Sequence, residues 1–478
     1  MKHNFLGFLF LLAVHSVIAQ DNKNEDVFIV KPYLQIGRSP DSGTLQLHWQ
    51  ASDINTGWSV EYKTNAKSTW KKTETPKSRR VSVAGTDPSH IYSASFIHLM
   101  PGSTFNYRVL QNGKIVFTSE AKALKSAAQD YRFVVFGDIG AGTIEQKPLA
   151  YRAFLSKPDL VVVPGDIVYD RGLISEYSTK FWPIYNANNA DEAGAPLMRS
   201  VLFVSAPGNH DILTRDLDMF PDGLAYYIFW DQPLNGPGGK EGGPSVPKLK
   251  ASELNRKNFI KAAGKTYPRM ANFSFNYGNA HWTFLDSNPY VDWTDKGLTK
   301  WLTNDLAAAK NAVWRFVVFH HPGFNSSRVH FNEQQMRILS PVFEAGKVDV
   351  VFNGHVHNYQ RSFPLRFVPE KQNPIVITGT ENKRIIGRVV NGSWTLDKSF
   401  DGKTDTSPNG IIYLVTGAGG QTLYNPEQNN DPASWQEFTD KFISNVHSLT
   451  VANVKGKTLT IQQLSADGKE LDSFKIVK

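Results

Sequence analysis

Five short segments of this 478-residue chain share one form, an apolar run ending in Asp, Asn or His beside Gly. Asp138 lies in Phe133–Gly140, Asp166 and Tyr169 in Val161–Tyr169, and Asn209 and His210 in Ser205–Asp211. His320 closes Val317–His320, and His355 and His357 close Val350–His357. Carboxylate, amide, phenol and imidazole groups in such number suit two cations a few ångströms apart. Such a centre needs hard oxygen donors, some imidazole, and one carboxylate bridging ions that would otherwise repel. One Gly-Asp after an apolar run is only a turn. Five such segments in one chain form a constellation whose meaning depends on structural context.

Elements must position these groups, and the apolar runs indicate which. They are short and rich in β-branched and aromatic residues, the pattern of strands buried on both faces. The candidate donors therefore fall on loops at the carboxyl ends of strands, where open α/β sheets hold their ligands. Glycines at 137, 140, 165, 208 and 354 allow sharp turns and close approach of backbone to ions. Between the runs lie helical stretches such as 298–310, where Leu298, Trp301, Leu302 and Leu306 repeat at helix spacing and read as core.

The order and content of the five segments resemble the purple acid phosphatase branch of the metallophosphoesterases. The resemblance implies that Asp138, Tyr169 and His357 hold a first metal, that Asn209, His320 and His355 hold a second, and that Asp166 bridges them. Tyr169 is the most diagnostic, because a phenolate matches Fe(III) and gives the purple enzymes their colour. The implied cofactor is a dinuclear centre of Fe(III) with Fe, Zn or Mn, the second ion being left open by the ligand set. The resemblance also assigns catalytic roles to two further histidines. His210 would orient the attacking oxygen or bind phosphate, with Asp211 fixing its tautomer. His330 lies where plant-type members carry a His-His pair that contacts phosphate and protonates the leaving group; here the first member is Val329. His321 reads as a neighbour of the ligand His320, since the family's metal histidine lies two residues before Pro, here Pro322. Gln360 stands where the family has Glu after Gly-His-Val-His-x-Tyr.

The implied fold is α/β (α+β): an all-β sandwich followed by a four-layer βαβ metallophosphoesterase domain. Short alternating runs at 44–49, 58–62, 94–97 and 105–109, with Pro101-Gly102 in a turn, suggest a fibronectin type III-like sandwich over 26–125. Leu99–Val109 carries its likeness to the amino-terminal domain of plant-type members. The remainder, 131–478, would be catalytic, with 410–478 as its closing segment. Two stretches, 211–270 and 364–409, read as insertions. The first contains the Gly- and Pro-rich loop 236–247, which fits a lid over the metals and a solvated surface loop equally well.

Composition narrows the class of protein. With 41% hydrophobic and 20% charged residues the chain is an ordinary folded protein. Lys2 and His3, the apolar stretch 5–14 and Val17–Ala19 read as a secretory signal over 1–19, too short to span a bilayer comfortably. No cysteine is present, which excludes disulfides and a lipid-modified cysteine. Periplasmic or secreted localisation follows as the expectation, with no membrane anchor. The net charge of +8 favours the approach of phosphorylated small molecules. Nucleic acid is not expected, since the densest basic cluster, Lys77–Arg80, lacks an aromatic platform and reads as solvated surface. The expected function is hydrolysis of phosphate monoesters, as an acid phosphatase, by hydroxide generated on the metals. A phosphodiesterase or nucleotide hydrolase with the same ions is the alternative, and a binding protein without turnover is a third reading. Oligomeric state is not legible in the sequence.

Overall fold

The computed structural model describes residues 27–64, 67–381 and 384–478. The expected signal, 1–19, lies outside them. The first part is a pair of four-stranded antiparallel sheets. One has the order Val30–Gln35, Leu45–Ser52, Ser89–Phe96 and Lys77–Val81; the other has Lys71–Lys72, Trp58–Lys63, Thr104–Gln111 and Lys114–Lys122. Period-two alternation produces them: Trp58, Val60 and Tyr62 are buried while the residues between are partly exposed. Trp49, Trp58 and Tyr92 meet in the core between the sheets.

The second part is built on two further sheets. In the first, Leu202–Ser205, Leu160–Val163 and Tyr131–Val135 run parallel, and Ser448–Lys455, Thr458–Ser465 and Glu470–Val477 extend the sheet antiparallel. In the second, Ala280–Phe284, Trp314–Val318, Val350–Asn353 and Ile412–Thr416 are parallel neighbours. Alternation decides what each face meets. Phe133 points between the sheets, its ring 4.9, 5.5 and 5.9 Å from those of Trp282, Phe316 and Phe352. Val134 points the other way, into a cluster with Leu149, Ala150 and Ala153 of helix Gln146–Leu155. On the far side, Leu298, Leu302 and Leu306 of helix Lys296–Ala308 cover Val317 and Val351. Helix, sheet, sheet and helix make the expected four layers. The helix starts two residues before the apolar pattern does, because the Asp295 carboxylate accepts from the amides of Gly297 and Leu298 and caps it there.

The cluster at Lys77–Arg80 differs from expectation. Lys77 and Ser78 are exposed, but Arg79 donates from Nη2 to the Ile228 carbonyl at 2.8 Å, tying the sandwich to the second part, and Arg80 pairs with Asp53. Solvation therefore accounts for only half of it. The loop 236–247 is anchored, with Val246 buried and the Pro244 carbonyl accepting from Asp292 N at 2.8 Å. The stretch 364–409 forms two hairpins, Leu365–Pro369 with Gly392–Leu396 and Ile375–Glu381 with Arg384–Val390.

One buried charge group joins the two large sheets. Arg361, in strand Tyr359–Ser362 of the second sheet, donates from Nε to Asp472 Oδ2 at 2.7 Å, and Tyr359 Oη donates to the same oxygen at 2.9 Å. Asp472 belongs to strand Glu470–Val477 of the first sheet. Removing one partner of a buried pair strands the other charge, at a cost of about 3–5 kcal/mol. Arg361→Ala should therefore lower the unfolding free energy by about 3 kcal/mol or more, read from the urea midpoint. The apolar double variant Arg361→Met/Asp472→Leu should recover most of that loss.

Candidate metal centre

All seven candidate donors lie past strand ends, four from the first large sheet and three from the second. Asp138 follows Tyr131–Val135, Asp166 and Tyr169 follow Leu160–Val163, and Asn209 follows Leu202–Ser205. From the second sheet, His320 follows Trp314–Val318, and His355 and His357 follow Val350–Asn353. Asp138, Asp166 and His355 have φ of 61°, 50° and 68°, a left-handed backbone that costs a non-glycine residue roughly 1–2 kcal/mol and recurs at functional sites. Gly208 is required by close approach, since a Cβ there would lie 2.1 Å from Asp166 Oδ1.

The donors form two groups. In one, Tyr169 Oη donates to Asp138 Oδ1 at 2.9 Å, while His357 Nε2 lies 3.2 Å from Tyr169 Oη and 3.5 Å from Asp138 Oδ1. In the other, His320 Nε2 lies 2.9 Å from Asn209 Oδ1 and 3.2 Å from Asp166 Oδ1, and donor atoms of Asp166, His320 and His355 all fall within 4.8 Å of one another. Burial, with the charges of Asp138 and Asp166, pushes the Tyr169 phenol well above its usual range, so Asp166 is felt by both groups. Burial would raise Asp166 itself, but His320 and His210 outweigh it and hold that carboxyl well below its usual range.

The chemistry of this set fits metal ions. Nδ1 of His320 faces the Pro164 carbonyl at 2.9 Å and Nδ1 of His357 faces the Thr422 carbonyl at 2.7 Å. Each carbonyl accepts from Nδ1 and turns Nε2 toward the oxygens of its group, the orientation a metal-binding imidazole needs. With no ion between them, His320 is held charged beside Asp166, pushed up to about 9 against the cost of its burial, so the place of a cation among these donors is taken by a proton that a metal ion can replace. Oxygen-rich donors with imidazole and no thiolate suit hard or borderline divalent and trivalent ions.

His210 and His330 border the groups. The His210 ring centroid is 4.3 Å from that of Tyr169, and its amide donates to Asp166 Oδ1 at 2.9 Å. Its Nδ1 lies 2.8 Å from the Asp170 carbonyl, so Asp170 and not Asp211 sets its tautomer. Asp211 instead turns inward, where its carboxylate accepts from Gly208 N at 2.7 Å and Ile167 N at 3.1 Å, bracing two donor loops at once. His330 packs 4.0 Å from the His355 ring.

Glu333 is the residue that the sequence did not disclose. It accepts from His330 Nδ1 at 2.6 Å through one oxygen and lies 3.1 Å from His355 Nε2 through the other. A carboxylate three residues past a histidine, outside any apolar run, gave no signal of its own. His321 sits near as well, with Nδ1 2.9 Å from Ser287 Oγ and a ring nitrogen grouped with Glu333 and His355. The 364–409 stretch also reaches this loop: Arg388 N donates to Asn332 O at 2.7 Å, and Gln334 N to Arg388 O at 2.8 Å. Gln360 accepts from Ser326 N and donates to Asn325 and Asn358, so the departure there is absorbed in loop packing.

Residues 131–359 match the family model for the calcineurin-like phosphoesterases. The chain is similar to proteins named as purple acid phosphatases, among others. A protein of Arabidopsis thaliana named "Probable inactive purple acid phosphatase 27" is 26% identical over 314 residues, 59% of this chain and 46% of the relative. A phosphoenolpyruvate phosphatase of Allium cepa is 33% identical over 274 residues, 52% of this chain and 48% of the relative. The chain thus spans about half the length of these curated relatives. The solved purple acid phosphatase from yellow lupin (Lupinus luteus) seeds shares the fold, with a TM-score of 0.62 at 18% identity over 93% of this chain and 74% of that one.

The inward turn of Asp211 is testable. Asp211→Ala orphans two buried amides and should lower stability by about 2–4 kcal/mol. His210→Ala, whose ring is part exposed, should lower it by less than about 1 kcal/mol. Chemical denaturation of the two variants reads the difference.

Proposed function

We propose that the chain is an acid phosphatase that hydrolyses phosphate monoesters at a dinuclear metal centre. Asp138, Tyr169 and His357 would hold Fe(III), Asn209, His320 and His355 would hold Fe, Zn or Mn, and Asp166 would bridge. The observation that carries this reading is the convergence of oxygen and imidazole donors from both sheets into two groups, with Nε2 of His320 and of His357 turned toward the oxygens of its group. Metal ions there would supply Lewis acidity, neutralising phosphoryl oxygens and lowering the pKa of water. The chain's own residues then divide the remaining work. His210, held by the Asp170 carbonyl, binds a phosphoryl oxygen or orients the nucleophile. His330 hands a proton to the leaving oxygen from Nε2, while Glu333 accepts from its Nδ1 and holds the ring in place. The left-handed backbone at Asp138, Asp166 and His355 keeps the donors aimed before substrate arrives. Export to the periplasm or beyond belongs to the same reading. It rests on the first 19 residues of the sequence.

The relative named as inactive makes a second reading worth testing, a binding protein that keeps the fold without turnover. Metal content and hydrolysis of an aryl phosphate separate the two, and a panel of monoesters and diesters assigns ester type. Asp166→Asn should lower metal occupancy and activity more than Asn209→Ala, because only Asp166 would touch both ions. An iron-loaded protein should show a broad visible band that Tyr169→Phe removes; a colourless, active and fully metallated wild type would exclude the iron phenolate.

His330→Ala should retain both metals and lose turnover. The loss should be about 10²–10⁴-fold for alkyl phosphates and smaller for nitrophenyl phosphate, whose stable leaving anion needs little protonation. Equal losses would assign His330 to phosphate binding.

A further inference from the structure

We propose that an open cavity next to the donor loops is a subsite for a second anionic group, so that the preferred substrates are small esters carrying two phosphates. The proposal rests on the ester-hydrolysis reading and adds to it the class of substrate. The cavity, about 510 Å³, is bordered by Arg171, Arg215, Lys248 and Lys250 against a single carboxylate, Asp216. Its size is that of a small-ligand site.

Its charge is surplus. Asp216 is taken by Lys250 and by the amides of Asp218 and Met219. The nearby acids are engaged elsewhere: Glu241 pairs with Arg256, and Asp218 accepts from Ser252 N and Asn255 Nδ2. Arg215 lies along the Tyr290 ring at 5.4 Å, beside buried Asp286. Arg171 and Lys248 are both exposed and form no ion pair among the described residues, although Glu241, held by Arg256, lies near enough to feel the charge of Lys248. The Arg171 guanidinium lies over the Phe220 ring, 4.8 Å from its centroid, a contact that leaves the N–H groups free to donate to an anion.

The position suits a substrate that reaches from the donor cluster. Arg171 follows Asp170, the residue whose carbonyl holds His210 Nδ1, and stands two residues from Tyr169. Leu213, on the cavity wall, is three residues past His210, a separation that cannot exceed about 11 Å between Cα atoms. The loops at 171–172 and 211–213 share one wall, because a Cβ on Gly172 would lie 2.5 Å from the Asp211 carbonyl oxygen. A second phosphate about 10 Å from the first can thus meet Arg171 and Lys248 while the first lies at the centre.

Hexane-1,6-diyl bisphosphate and hexyl phosphate test this directly in the metal-loaded protein. At low salt the bisphosphate should have kcat/KM at least about tenfold higher, carried by KM and shrinking as ionic strength rises. Arg171→Gln/Lys248→Gln should reduce the ratio to the statistical factor of about two for two equivalent ends, with hexyl phosphate kinetics unchanged. Arg171→Lys/Lys248→Arg should keep the preference. A wild-type ratio of about two, or a preference that survives in the glutamine variant, overturns the subsite. If neither ester is cleaved, the catalytic reading fails. The uncleavable hexane-1,6-diyl bisphosphonate and hexylphosphonate then decide the subsite by titration: a bisphosphonate preference lost in the glutamine variant supports it, and equal affinities overturn it.

Discussion

Everything at the candidate centre depends on the packing of one sheet against the other. Neither sheet holds a complete donor group. Asp138 and Tyr169 come from the first and His357 from the second; Asp166 and Asn209 come from the first and His320 and His355 from the second. Phe133 lies against Trp282, Phe316 and Phe352, fixing the separation and alignment of the strand ends. Large aromatic groups suit that task, because a close-packed interior transmits a change of even one methylene. The donor atoms, 2.9–3.5 Å apart across the join, inherit that precision.

The centre works against folding where the sheets work for it. Buried carboxylates, a phenol held neutral and imidazoles taken out of water are costly together, and left-handed backbone at three of the donors adds to the cost. Secondary contacts offset part of this. Backbone carbonyls of Pro164 and Thr422 fix the two imidazoles, Asp211 ties two loops by their amides, and Arg361 with Asp472 clamps the sheets together. Such contacts make a site that exists before its ligands arrive, the condition for electrostatic preorganisation.

Much of this was legible in the sequence because strand burial and metal chemistry both leave local signatures. The apolar runs before Asp138, Asp166, His320 and His355 marked the strands and the loops after them, and the period-two pattern at Trp58–Lys63 marked the sandwich. What stayed hidden was set by three-dimensional neighbours. Glu333 matters because a loop folds it between His330 and His355, and Asp211 was misread because adjacency to His210 suggested a contact that the turn at 208–212 points elsewhere. Arg79 looked like surface until Ile228 covered it. The cavity at Arg171 and Lys248 joins residues far apart in the chain, with no motif at either.

The place of strand Ser448–Lys455 has a consequence for the order in which the molecule can be completed. It pairs with Tyr131–Val135 in register from Val454 opposite Tyr131 to Thr450 opposite Val135. The strand that leads to Asp138 therefore keeps an open hydrogen-bonding edge until a partner made about three hundred residues later arrives, a contact of high sequence separation and slow closure. During synthesis the first three strands can pair among themselves, but their sheet ends at that bare edge. Completion of the sheet beneath Asp138 is thus a late event, timed by the arrival of 448–455 and not by the appearance of the donor itself.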